Sequence, residues 1–285
     1  MSAPTNPAST RVRTPSARVP ALDVTGLRVV YDLPSGPVEA VKGIDFAVYP
    51  GEILGFVGES GCGKTTSAMA ILGLLSHPGR VAGGRAIVNG VDLLSLSTTE
   101  LRRARWRSVA LIPQGAMNSL NPTMKIGRQL LEVFSSDALR RMSKAESDAL
   151  VESRLDTVSL PPHVKGLYPH ELSGGMKQRV CIAMASMLDP QVIIADEPTS
   201  ALDVVVQRVV AQTLLEVCER TKVGVLLIGH DLGLMAQLAN NVAVMKDGEI
   251  VELGATDQVL RRPTHPYSQH LISSIPQVGG HRSEQ

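Results

Sequence analysis

Cysteine and aromatic residues are scarce in this chain, neither charge sign dominates it, and no long apolar run interrupts it. The three cysteines, Cys62, Cys181 and Cys218, are odd in number and widely spaced. That pattern is neither a disulfide framework nor a clustered metal site, and it suits a reducing compartment. Lys and Arg total 28 against 27 Asp and Glu, a formal net charge of +1, with no long basic run. Such a balance argues against nucleic acid as the main partner. No apolar stretch approaches the ~18–20 residues that cross a bilayer. The longest, such as Val223–Ile228, have the length of buried strands. If the chain serves a membrane process, the spanning parts are expected on other chains. Residues 1–20 are rich in Ser, Thr, Pro and Ala, carry Arg11, Arg13 and Arg18, and lack the apolar core of a secretory signal. An organellar presequence and a disordered tail both fit; the four prolines resist an amphipathic helix and favour the tail.

What is present is a globular composition, 44% apolar over 285 residues, enough for one large or two small domains. One stretch organises the rest. Gly58, Glu59, Ser60, Gly61, Cys62, Gly63, Lys64, Thr65 and Thr66 spell G-x-x-x-x-G-K-T followed by Thr, the pattern of a phosphate-binding loop. A short apolar run, Ile53–Val57, precedes it, and a helix-like run with Ala68, Ile71, Leu72 and Leu75 follows. Glycines let successive N–H groups converge on one anion, and the helix N-terminus adds its positive end. Lys64 can then reach terminal phosphates, and the Thr65 hydroxyl can hold Mg²⁺. Cys62 has two readings: a small residue filling space, or a thiol near a helix N-terminus that bound ATP would shield from alkylation.

Around the loop, Leu22–Val24, Leu27–Tyr31, Val41–Val48 and Gly84–Val88 read as strands, with turns at Pro34–Pro37 and Asn89–Gly90. The opening is therefore expected to be an antiparallel β-rich layer beside the nucleotide core. Tyr31 either stacks on an adenine ring or fills the core. Val109–Ile112 reads as a buried strand that delivers Gln114 just past its C-terminal edge, where α/β folds bind ligands. From Ile126 to Pro161 the pattern turns helical: Ser143–Glu146 has the form of a capping box, and Val151, Leu155 and Val158 recur at helical spacing. We read residues 116–176 as a helical insertion between two parts of the core. Gln191–Ala195 is an apolar strand delivering Asp196, placed to hold Mg²⁺, and then Glu197, placed to polarise an attacking water. Two adjacent acids after such a strand are rarely structural, because burying them unpaired costs several kcal/mol. Val223–Gly229 forms another strand ending at His230, which either contacts phosphate or water or is a satisfied core histidine.

Leu172-Ser173-Gly174-Gly175-Met176-Lys177-Gln178-Arg179 resembles the signature of ABC-type ATPases. The resemblance implies an α/β fold with a P-loop NTPase (RecA-like) core, an antiparallel β subdomain and an inserted α-helical subdomain, over residues 21–257. It implies ATP and Mg²⁺ as ligands and a two-fold dimer, with Ser173, Gly174 and Gly175 facing the ATP held by the partner subunit. In the same comparison Tyr31 falls at the adenine-stacking aromatic. Gln114 falls in the loop that senses Mg²⁺ and the transmembrane partner, Ser200–Asp203 in the loop crossing the dimer interface, and His230 at the switch histidine. Lys64, Glu197 and His230 would be catalytic, and Thr65, Gln114 and Asp196 would hold the metal.

Five segments narrow the resemblance to the peptide/nickel importer branch. They are Ser119–Pro122, Tyr168–Glu171, His230–Gly233, His265–Ser268 and Ile275–Pro276, with residues 258–285 as a short C-terminal tail of that type. The branch implies a peripheral subunit on the cytoplasmic face of the membrane. Its partners would be two permease chains, a second related ATPase and an extracytoplasmic binding protein. Met176 in the signature points to a heteromeric ATPase pair. Gly115-Ala116 and Gly229 depart from the branch's commonest residues and leave substrate and partner docking open. Nickel, metal chelates or oligosaccharides are the alternative cargo. A non-transport ABC ATPase acting on nucleic acid or the ribosome would carry coiled-coil insertions or a second cassette, and an exporter would lack the segments around Asn121, His170 and His265.

Overall fold

The computed structural model describes residues 18–134, 136–200 and 202–274. Most of the expected tail, Ala201 of the interface loop and Ile275–Pro276 lie outside the described residues. The chain opens with Leu22–Leu33 (β1) and Gly36–Val48 (β2), antiparallel from Leu22↔Val48 to Leu33↔Gly36 about a turn at Pro34-Ser35. β1 is one strand and not two; register irregularities between Val24 and Val30 stand where the sequence pattern breaks. β2 starts at Gly36, earlier than its apolar residues suggest, because Pro37–Glu39 pair on the sheet without facing a core. Ile53–Val57 (β3) leads through the glycine-rich loop into Lys64–Ile71 (α1). This helix stops before Leu75, with Gly73 in the left-handed conformation that ends helices. Gly79–Val88 (β4) and Val91–Asp92 (β5) complete the antiparallel layer, in the order β2-β1-β4-β5.

Thr98–Ala104 (α2) precedes Val109–Ile112 (β6). The helical segment that follows holds Ile126–Leu131 (α3), Ser136–Arg141 (α4) and Lys144–Thr157 (α5). At the start of α5 the capping box is complete: Ser143 N–H donates to Glu146 Oε2 at 2.7 Å, and Glu146 N–H donates to Ser143 Oγ at 3.2 Å. Gly174–Ser186 (α6), Val192–Asp196 (β7), Val204–Thr221 (α7), Gly224–Ile228 (β8) and Leu232–Leu238 (α8) return to the core. The hairpin Asn241–Lys246 (β9) and Glu249–Ala255 (β10) is followed by Thr256–Arg261 (α9) and Pro266–Ser273 (α10).

The second sheet runs β10-β9-β3-β8-β7-β6, with parallel pairing from β9 to β6 and β10 antiparallel at its edge. Its central strands β3, β7 and β8 are buried on both faces, which is why they read as unbroken apolar runs. Alternate residues go to different cores. Ile53, Val57, Ile193, Ala195, Val225 and Leu227 join the core shared with the helical segment, including Val151, Leu155 and Val158. Leu54, Phe56, Val192, Ile194, Leu226 and Ile228 join the core shared with β1, β2, β4 and α1. The parallel strands point one way, so the residues after β3, β6, β7 and β8 gather along a single edge of the sheet, the usual position of a ligand site in such folds.

Leu155 is fully buried between the insertion and the sheet-side core. Leu155→Ala should cost about 2–5 kcal/mol and lower the melting temperature by roughly 2–4 °C for each of them. Val204→Ala, on an exposed face of α7, should move it little. Equal shifts in thermal scans of the two variants would contradict the assignment of Leu155 to the core.

Candidate functional site

The loop between β3 and α1 is shaped by what surrounds it. Gly58 has φ +147°, and a Cβ there would stand 2.2 Å from the Met245 carbonyl oxygen, so no side chain fits where β9 passes the loop. Lys64 is buried, and its ammonium donates to the carbonyl oxygens of Gly58 and Glu59, both at 2.8 Å, and to Cys62 Sγ at 3.4 Å. The cation thus sits across the mouth of its own loop. Cys62 is buried behind that loop, which removes the accessible thiol that an alkylation assay needs. Cys181 and Cys218 are buried too, and burial pushes both thiols up to about 12. Two bonds reach the loop from outside it: Glu59 N–H donates to the Tyr267 hydroxyl at 3.2 Å, and Gly248 N–H donates to Cys62 O at 3.1 Å. Glu59, Ser60, Gly61 and Thr65 are exposed, and Thr66 is half-buried.

Asp196 ends β7 and is buried, with Thr65 Oγ1 donating to its Oδ1 at 3.1 Å. Burial pushes its carboxyl above the usual range; Thr65 opposes this, and the neighbouring charge of Glu197 adds to it. Glu197 turns sharply off the strand with φ +45°, uncommon for a side-chain-bearing residue. Its N–H still donates to Ile228 O at 2.9 Å, so the β7–β8 ladder extends to the turn that swings the carboxylate aside. Both carboxylate oxygens are then engaged. Gln114 Nε2 donates to Oε2 at 2.8 Å, and His230 Nδ1 lies 3.2 Å from Oε1. Ser200 Oγ donates to Glu197 O at 3.1 Å, folding the next loop back on it. Four strand ends thus bring Lys64, Thr65, Asp196, Glu197, Gln114 and His230 to one edge of the sheet, with Thr65 bonded to Asp196 and with Gln114 and His230 gathered on Glu197.

The other predicted residues stand outside this network. Ser173 caps α6, accepting from Met176 N–H at 3.3 Å. A Cβ on Gly174 would meet Leu202 at 3.2 Å, and one on Gly175 would meet Val206 Cγ1 at 2.5 Å. The second glycine is thus also required for α6 to close on α7, a packing role that the motif does not disclose. No hydrogen bond joins Ser173, Gly174 or Gly175 to the loop around Lys64 among the described residues. Tyr31 is half-buried on β1, and its ring lies against Gly79, where a Cβ would come within 2.8 Å of it. Tyr267 is the residue at the site that motif reasoning placed only in a family segment. Its contact with Glu59 spans 208 residues, and no local signal discloses it.

The sequence profile described as ABC transporter matches residues 41–200, and the one described as oligopeptide/dipeptide transporter, C-terminal region, matches residues 251–285. An oligopeptide transport ATP-binding protein, OppD, of Haemophilus influenzae is 43% identical over 92% of this chain and 80% of its own. A dipeptide transport ATP-binding protein, DppD, of Bacillus subtilis is 41% identical over 90% of this chain and 77% of its own. Among solved structures, a dimeric bacterial ABC transporter cassette superposes with a TM-score of 0.69 at 25% identity, covering 82% of this chain and 98% of that one. The α/β fold with its antiparallel layer, the signature segment and these matches agree: the chain belongs to the ABC transporter family, as an ATP-binding cassette similar to the oligopeptide and dipeptide transport subunits.

Proposed function

We propose that this chain is the ATP-hydrolysing subunit of an importer, coupling ATP binding and hydrolysis to uptake of a peptide-like solute through separate permease chains. The carrying observation is the pair of adjacent acids at the tip of β7, one bonded to the phosphate loop through Thr65 and the other held by Gln114 and His230. The peptide class rests on the relatives' names and on the match of the C-terminal region. Among the described residues no helix is long and apolar enough to cross a membrane. The proposal places the chain peripherally, at the cytoplasmic face, against permease subunits supplied by other chains.

Thr65 and Asp196 fit a hard divalent cation. They offer a hydroxyl and a carboxylate oxygen 3.1 Å apart, and the nearby charge of Lys64 does not offset what burial and Glu197 do to the carboxylate. Bound Mg²⁺ would neutralise charge on the phosphates; Gln114, whose amide reaches Glu197, would complete its surroundings. Lys64 would exchange the carbonyls of Gly58 and Glu59 for phosphate oxygens. Glu197 would orient the attacking water and accept its proton. A carboxylate has about four acceptor positions, and the two bonds from Gln114 and His230 leave room for that water. His230 would hold the γ-phosphate side. Tyr31 would stack on the adenine.

Ser173, Gly174 and Gly175 lie outside the constellation, which supports their serving the nucleotide of a second subunit across a two-fold axis. The dimeric cassette among the structural relatives supports the same arrangement. Met176 favours a related but non-identical ATPase as that partner, with an extracytoplasmic binding protein delivering the solute. ATP touching both subunits only when they close supplies the differential affinity that drives closure.

Glu197→Gln should bind ATP with near-native affinity and lose at least about a hundredfold in turnover, as removal of a general base does. Tagged, trapped with ATP in native membranes and purified, it should bring down two permeases, a second ATPase and a binding protein carrying a peptide. A metal chelate or oligosaccharide on that binding protein would redirect the cargo assignment. Ribosomal or repair proteins without a permease would overturn transport. Asp196→Asn separates function from stability. The raised carboxyl pKa means that stability falls as pH rises from the ordinary value of 3.8 through the raised one. Above that window the charge is a burden, so the neutral isostere should melt higher at pH 7 without nucleotide, yet lose Mg²⁺-dependent hydrolysis. A lower melting temperature would contradict the electrostatic account, and retained hydrolysis would remove Asp196 from metal binding.

A further inference from the structure

We propose that Tyr267 is a positioning residue for the phosphate-binding loop, and that through it the C-terminal segment sets the chain's affinity for nucleotide. This rests on the reading of that loop as the ATP site. Tyr267 belongs to α10, and its hydroxyl accepts the N–H of Glu59, the residue after the first glycine of the loop. The contact is built from several sides. The Tyr267 side chain is buried, and Lys246 Nζ lies 5.0 Å from the ring centroid. Burial pushes the phenol above its usual range, so it stays protonated and neutral beside the loop.

The base of α10 is fixed independently. Glu252 on β10 accepts from Thr264 N–H at 2.8 Å and Thr264 Oγ1 at 2.9 Å through one oxygen, and from His265 N–H at 3.2 Å through the other. His265 then caps the helix, its Nδ1 accepting from Tyr267 N–H at 3.1 Å. The run His265-Pro266-Tyr267 thus has a mechanical reading. The carboxylate of Glu252 fixes the entry, His265 and Pro266 start the helix, and its first turn aims the phenol at the loop.

The target explains why the bond matters. Lys64 already draws on the carbonyls of Gly58 and Glu59, and a ligand phosphate competes for that ammonium. When Lys64 turns to phosphate, the Gly58–Glu59 peptides lose their cation. The Tyr267 bond, with Gly248 N–H on Cys62 O, then keeps the loop in the conformation whose later amides converge. A phenylalanine keeps the packing and removes only this restraint.

The test uses the full chain. Isothermal titration should show Tyr267→Phe binding Mg·ATP about five- to tenfold more weakly than the unaltered protein, the scale of one hydrogen bond. Its melting temperature without nucleotide should stay within about 2–3 °C. Amide exchange should rise over residues 58–61 and remain unchanged in β9 and β10. Unaltered ATP affinity, or a large fall in melting temperature with exchange rising throughout the C-terminal segment, would overturn the proposal. Lys64→Ala serves as the reference for the site itself. If the unaltered chain and Lys64→Ala bind ATP equally poorly, the ATP-site reading fails; if only Lys64→Ala is impaired and Tyr267→Phe is not, this inference alone fails.

Discussion

Burial of the parallel strands on both faces is the constraint on which the rest depends. Residues 53–57, 192–196 and 224–228 have no solvent face, so within these strands polar chemistry can appear only at their ends. Parallel pairing makes those ends coincide. A loop that bends on glycine, a carboxylate, a glutamine and a histidine, each separated in sequence, arrive at one edge because four strands stop there together. Asp196 shows the tension in this arrangement. It is the last residue of a wholly buried strand and a charged group at once, so burial and the charge of Glu197 both work against its ionisation, and Thr65 and the charge of Lys64 only partly compensate. A group held at such a disadvantage is expected where a cation completes the site, and the stability given up is of the kind functional sites commonly carry.

Glu197 resolves the same tension differently. It leaves the strand by a left-handed backbone conformation while its N–H stays on the β7–β8 ladder, so the carboxylate reaches a half-buried position between Gln114 and His230. Two adjacent acids are thereby given different surroundings. Asp196 faces the loop, bonded to a neutral hydroxyl. Glu197 faces the groups at the ends of β6 and β8. The pairing of a metal-binding role with a water-orienting role, proposed above, follows from that divergence rather than from any intrinsic difference between the two side chains.

Legibility in the sequence tracks the same physics. β3, β7 and β8 are readable because two-sided burial writes itself as an apolar run, and the phosphate loop is readable because its glycines are demanded by backbone approach. The antiparallel β2 is visible in the sequence only where Val41–Val48 faces the core; Pro37–Glu39 pair without facing a core and leave no pattern. The sequence reading names no strand in residues 241–255, although β9 carries the short buried apolar run Val242–Met245. β10 is half-exposed along most of its length, so nothing in residues 249–255 alternates cleanly. Gly175 is legible as part of a motif but not as the space into which Val206 fits. Gln114, Glu197 and His230 could each be nominated from position alone, yet their mutual hydrogen bonds, across 83 and 33 residues, are facts of the fold.

The β9–β10 hairpin forms the wall of the site. Met245 carbonyl oxygen excludes any side chain at Gly58, Gly248 holds Cys62, and the same Gly248 accepts from Lys42 N–H at 2.9 Å, tying β2 of the other sheet to the same turn. The phosphate loop is therefore gripped from behind by both sheets at one residue. At its front, the Tyr267 hydroxyl accepts from Glu59 N–H and the Lys64 ammonium holds the carbonyls of Gly58 and Glu59. A backbone-held rear and a side-chain-held front restrain the loop in the folded chain. Preorganisation of this kind makes a cluster of weak N–H dipoles an effective phosphate site, because the cost of ordering them is met in folding and not on binding. The Tyr267 contact gives the C-terminal segment a direct physical route to the loop.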